Sequence, residues 1–269
     1  MQNKGRSDYY SLVCGLPEIT LEQTSDPKYR NLIIDYKDYI NETDQHWLQL
    51  VYDAIDLKNF LIVLFKSGKE LQPGGSYSQV QLEEATSQKE ILFSYQEYFF
   101  NAFDNAPTEH PTAVVEHKLF SLYYTDLINC GNAFLENWGR FSLTLKNYVL
   151  MLYGDNLKID MQDSLIAEPL PLDKIQIRTI EPYLNETTNT SGIAELIGRS
   201  DISIKEKYID QLQWDYLNAA SFFEYFSLEK LIAFALKNQM ANRWKNLSDK
   251  SNTITTENIL NAITEFKHG

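Results

Sequence analysis

The stretch "DAIDLKNFLIVLF", residues 53–65, is echoed by "FSLTLKNYVLMLY", residues 141–153, and more faintly by "EYFSLEKLIAFAL", residues 224–236. The first two share Leu-Lys-Asn-aromatic, then aliphatic residues, then a closing aromatic. Aligning the three on Leu57, Leu145 and Leu228 gives an internal repeat of helical segments. Its interval is longer than the ~20–50 residues of a solenoid, so the pattern predicts three similar helical units rather than a fine-grained array.

Working outward, Trp47, Leu50, Val51, Ala54, Leu57, Leu61 and Leu64 recur at three- and four-residue steps. That periodicity predicts an amphipathic helix from about Thr43 to Phe65. "KSGKELQPGGSYS" (66–78) follows as a connecting loop; its Pro-Gly-Gly lacks the Gly-Lys-Ser/Thr of a phosphate loop. Ser87 and Glu90 have capping-box spacing and predict a helix from about 88 to 103. "DNAPTEHP" breaks it, and Pro111 opens a long helical stretch in which Gly139 is the expected bend or stop.

Residues 155–200 carry the weakest periodicity and read as loops around short helices. Ser203 and Glu206 form a second expected capping box, Ser227 the cap of the third repeat helix, and "TTENILNAITEFKHG" (255–269) a final amphipathic helix. The opening "DYYSLVCGLPEITLE" (8–22) reads as a short extended lead-in. The expected fold is therefore all-α, one domain spanning 1–269, with repeats at about 40–105, 111–155 and 200–267.

Composition narrows the function classes. A formal net charge of −13 and a pI near 4.8 exclude an ordinary nucleic-acid binder, which needs Lys and Arg to displace phosphate counterions. They also disfavour adsorption to anionic lipid. Two cysteines without C-x-x-C spacing imply no disulfide framework. The first residues lack the apolar core of a signal peptide, and "NFLIVLF" is far short of a bilayer span of ~20 residues. A cytoplasmic protein without direct membrane insertion is expected, peripheral to the inner membrane if held there by a complex.

The inventory of chemical groups is thin. His110, Glu116 and His117 form the one cluster resembling a metal or catalytic site, but Pro111 disfavours helical geometry at His110 and no H-E-x-x-H occurs. No G-x-S-x-G is present. No catalytic residue, metal ligand or cofactor is therefore expected. Arg243, Trp244 and Lys245 in "MANRWKNL" are the candidate partner-binding residues, because Trp and Arg are enriched at binding hot spots. A buried Trp flanked by snorkelling cations is the plainer alternative.

The segments "YYSLVCGLP" (9–17), "NAFLENWGRFSLTLKNYVLML" (132–152) and "DQLQWDYLNAASFFEYFSLEKLIAFALKNQMANRW" (210–244) resemble an uncharacterised bacterial family encoded among the components of V/A-type rotary ATPases. That family in turn is similar to the connector component of those enzymes, designated C in bacteria and archaea and d in the eukaryotic V-type enzyme. The resemblance implies three helical bundles in a funnel, no catalytic groups, and partners in the central stalk and the membrane rotor ring. The expectation is thus a non-enzymatic subunit or accessory protein of such an ATPase. Its rival is a free-standing helical adaptor that binds another protein.

Overall fold

The computed structural model describes residues 8–21, 29–88, 90–158, 165–166 and 202–246, and among them every regular element is helical. In chain order these are α1 (Tyr10–Gly15), α2 (Leu32–Tyr36), α3 (Glu42–Leu64), α4 (Gln79–Ser87), α5 (Gln96–Asn101), α6 (Thr112–Leu127), α7 (Ala133–Leu157), α8 (Ile202–Ala220) and α9 (228–246). Short 3₁₀ turns occupy Lys37–Tyr39 and Pro107–Glu109. The all-α expectation holds. The final helix expected at 255–269, and nearly all of 159–200, lie outside the described residues.

The periodic segment around Leu57 forms α3, the central helix, which packs on α2, α4 and α6. It starts where Asn41 Oδ1 accepts the Asp44 N–H at 2.9 Å, and Asp44 itself lies in the first turn, where the helix dipole favours a carboxylate. Leu48, Tyr52, Leu57 and Phe60 from α3 are fully buried. Phe60 is surrounded edge-on by Phe93, Phe99 and Phe100, with ring centroids 5.9–6.2 Å away, a geometry that favours aromatic pairs beyond simple area burial. A second aromatic seam joins α7 to α8, where Phe141 stacks on Tyr216 at 4.0 Å.

Several sequence expectations change here. The lead-in is helical over Tyr10–Gly15 rather than extended. Its position is fixed from outside, by the Tyr9 N–H donating to the Phe226 carbonyl and the Tyr9 hydroxyl donating to Asp44 at 2.5 Å. The capping box belongs to Ser78 and Gln81, so α4 ends at Ser87, where a helix was expected to begin. The chain then turns through a buried Gln96, whose Oε1 accepts the Leu92 N–H and whose amide donates to the Glu90 carbonyl. The single stretch expected after Pro111 is two helices. Gly131, at φ +84°, and Asn132, capping Leu135 N–H, divide them.

Gly139 is neither bend nor stop. It lies inside α7, where an added Cβ would sit 3.1 Å from the side chains of Leu127 and Ile128, so its smallness sets how closely the end of α6 approaches α7. Ser203 is the second residue of α8 rather than a residue preceding it. The third repeat helix does begin directly after Ser227, whose hydroxyl donates to Glu224.

The Leu-Lys-Asn triplets repay the attention their sequence attracts. Leu57 and Leu145 are fully buried. Asn59 and Asn147 are buried too, and each carboxamide pairs in both directions with the backbone of one residue outside its helix. Asn59 donates to the Gln72 carbonyl and accepts the Gln72 N–H; Asn147 does the same with Ile166, at 3.1 and 3.0 Å. A third literal triplet, Leu236-Lys237-Asn238, lies in α9, and buried Asn238 donates to the Tyr29 carbonyl at 2.5 Å.

Two mutations test this arrangement. Asn147→Ala removes both partners of the Ile166 peptide and is expected to destabilise the fold by about 1–3 kcal/mol per group left unsatisfied; urea denaturation measures it. Leu145→Ala should cost about 2–5 kcal/mol by the same assay, and a loss below ~0.5 kcal/mol would contradict its burial.

Candidate functional site

The helices bearing the triplets line an open cavity of about 910 Å³. Its walls come from α3, α7, α8 and α9, closed on one side by Arg30 and the loop around Gly74. In a chain of net charge −13, the lining carries four basic side chains, Arg30, Lys58, Lys146 and Arg243, against three acids, Glu70, Glu206 and Asp210.

These charges are unevenly matched. Arg243 pairs with both Asp210 and Glu206, and Asp210 also accepts the Trp244 indole N–H at 2.7 Å. Lys146 lies over the rings of Phe120 and Tyr124, 5.2 and 5.9 Å from their centroids. Lys58 and Arg30 have no ion pair or side-chain hydrogen bond among the described residues. Crowding by the cavity walls lowers the Lys58 pKa, and the charges of Lys146 and Arg243 lower it further, against Glu116 and Asp210. Lys146 is lowered by desolvation as well. Both ammonium groups keep solvent access, as expected for charges in a concave wall.

Of the expected partner-binding residues, Arg243 faces the cavity. Trp244 is half-buried and tied to α8 through Asp210, and Lys245 is half-buried beside it. The three do not make one continuous exposed patch. His110 and His117 have separate surroundings: His110 stacks near Phe103 at 4.9 Å, whereas His117 Nε2 lies 2.7 Å from the Leu165 carbonyl. Among the described residues, no three His, Cys, Asp or Glu side chains converge as metal ligands. No described helix is long and apolar enough to cross a membrane.

Sequence reasoning noticed the triplet lysines only as part of a pattern. The signal for the cavity was present in them, because Lys58 and Lys146 hold the same triplet position on two helices. Arg30 has no such signal. A second surface feature has no periodic signal in the sequence: Phe222, Phe223 and Tyr225, in the turn between α8 and α9, are all more than half exposed. Phe226 beside them packs on Tyr10, ring centroids 4.6 Å apart.

A family model described as "Protein of unknown function (DUF2764)" matches residues 6–266. The chain belongs to the DUF2764 family. No curated protein and no solved structure matches it.

This DUF2764 chain also buries an acidic pair next to the cavity-forming face of α3. Gln49 donates to Asp53 and to Asp56, and Asp56 accepts the backbone N–H groups of Ser76 and Tyr77. The loop approaches so closely that a Cβ at Gly75 would lie 2.4 Å from Asp56 Oδ1. Burial pushes the Asp53 carboxyl up to about 8, helped by the charges of Asp56 and Asp126 and opposed by Gln49. Burial likewise raises Asp56 to about 6, against its backbone donors.

The sign of the pH effect follows from these directions. Both carboxyls hold protons in the folded state at pH values where the unfolded chain has lost them, so their stabilisation is full below the unfolded value of ~4 and declines as pH rises through 6 and 8. Asp53→Asn cannot ionise and should lessen that decline by up to about 1.4 kcal/mol per pH unit between roughly pH 5 and 8. Denaturant titrations of both proteins across this range check it; parallel pH profiles would show Asp53 to be ionised in the fold.

Proposed function

We propose that the protein is a non-enzymatic subunit or accessory protein of a V/A-type rotary ATPase that links the central stalk to the membrane rotor ring. The observation that carries this reading is the threefold recurrence of one local device. In each Leu-Lys-Asn triplet the leucine is buried, the surroundings lower the lysine pKa, and the asparagine is buried and bonded to backbone outside its own helix. The second and third lysines also share a ring contact: Lys146 covers Phe120 and Tyr124 on α6, and Lys237 covers Trp214 on α8, each on the helix preceding its own. Recurrence at the level of hydrogen bonds is harder to produce by chance than recurrence of amphipathic pattern.

The triplet also refines the repeat register. The third copy, 224–236, is aligned on Leu228, whereas the asparagine device falls at Leu236-Lys237-Asn238, later in the same helix. Three such units, in a funnel like that of the rotary connector, would supply the stiff body that seating a stalk on a ring requires. Helices locked through aromatic seams and two-way amide bonds resist shear under torque.

The exposed aromatics of the α8–α9 turn favour a second reading, a free-standing adaptor whose unrelated partner covers Phe222, Phe223 and Tyr225. A tagged pull-down from detergent-solubilised membranes of the native bacterium separates the two. Stalk and ring proteins in stoichiometric amounts are expected. Recovery of soluble proteins only, with the ATPase intact in the unbound fraction, would sink the connector reading.

A further inference from the structure

We propose that the cavity between α3, α7, α8 and α9 binds an organic phosphate, its phosphate groups held by Arg30, Lys58 and Lys146. The three cations reach one lining from separate segments: Arg30 precedes α2, Lys58 lies on α3 and Lys146 on α7, near enough to Lys58 to lower its pKa. Lys58 and Lys146 are exposed and Arg30 is half-buried, and all three line one concave wall that an anion can enter from solvent. The cavity acids offset them only in part, Asp210 acting on Lys58 and Glu206 on Lys146. Glu206 and Asp210 are engaged by Arg243, and Asp210 by Trp244 as well; Glu70 stands exposed on the loop. Glu116 acts on both lysines from outside the lining, and their ammonium groups still titrate low. Holding like charges together in crowded surroundings is unfavourable unless an anion completes the site.

A multivalent phosphate suits this set, since a guanidinium fork and two ammonium point charges can divide its oxygens among them. Size argues for more than a bare ion. A cavity of 910 Å³ falls within the ~300–1,000 Å³ of small-molecule sites. Beyond the cations, Val149, Tyr153 and Met240 offer an apolar wall and Gln239 a side-chain amide, surfaces for an organic body. The chain's net charge of −13 repels polyanions elsewhere, so binding at moderate salt reports on this site. The proposal is independent of the rotary reading, as an adaptor would carry the same cavity.

Isothermal titration calorimetry on the full chain, with inorganic pyrophosphate and separately with ATP, tests it. One-to-one binding is expected for both, tighter for ATP because its organic body meets the apolar wall. The double variant Lys58→Gln/Lys146→Gln should weaken both by at least about tenfold. Arg30→Gln, a single change at the cavity edge, should weaken both in the same direction. Lys118→Gln, at an exposed position of α6 outside the cavity, should change neither. Thermal melts establish that the variants are folded; if the double variant is not, Arg30→Gln decides alone. Failure of both probes to bind below ~1 mM, or undiminished binding by folded variants, overturns the proposal. Citrate binding as tightly as pyrophosphate overturns its phosphate part, and equal affinity for the two probes overturns its organic part. An acidic peptide that binds where both phosphates fail would instead assign the cations to a protein partner.

Discussion

A buried carboxamide has to find both a donor and an acceptor, and this constraint organises the molecule. Asn59 and Asn147 each satisfy it with a single peptide of an irregular segment, so the loop is held in place by a side chain of the helix. Removing the Asn147 side chain would strand two backbone groups at buried Ile166, whereas removing Asn59 would release Gln72 at the surface. The connection after α3 is consequently as determined as the helix. Gln72 is held by Asn59, Ser76 and Tyr77 by Asp56, and Gly74 by Asn31, whose Oδ1 simultaneously caps α2. Gly75 permits the contact only because it has no Cβ.

The same triplets place lysines beside the asparagines, so the device that fixes the fold also sets the electrostatics of the cavity. The leucine and asparagine of each triplet enter the core, and the lysine between them faces the margin. In a strongly acidic protein this concentrates positive charge in the concave region and leaves negative charge to the outside. The contrast gives any approaching partner or ligand a directional field, which acts on orientation and association rate more than on affinity.

Legibility in the sequence followed how locally each feature is determined. The long periodic helix around Leu57 was readable because its pattern and its burial agree over many turns. The lead-in was misread because six residues, Tyr10–Gly15, have little intrinsic preference and are positioned by Phe226 and Asp44, both far away in sequence. Capping boxes were ambiguous in principle: Ser78-x-x-Gln81 and Ser87-x-x-Glu90 both fit, and only the first closes hydrogen bonds. Ser87 instead donates back to the Glu83 carbonyl within the last turn of α4. Gly139 read as a breaker because sequence does not show the neighbouring helix that requires it. The cavity was half visible, in the repeated lysines, and half hidden, since Arg30 joins them only through tertiary structure.

The N-terminal segments close onto α9 and the turn before it. Tyr29 is held by Asn238, and Tyr9 by the Phe226 carbonyl. A chain made from the N-terminus onward therefore lacks the Phe226 partner of the Tyr9 N–H until α9 is about to begin, and the Asn238 partner of the Tyr29 carbonyl until the middle of α9. The α3 loop, whose asparagine pair spans 13 residues, can form much earlier. Assembly thus proceeds from local clasps to one late long-range closure, and the last contact made joins the two ends of the described structure. Opening that closure would separate the described ends while leaving the α3 clasp, made within one short stretch of chain, intact.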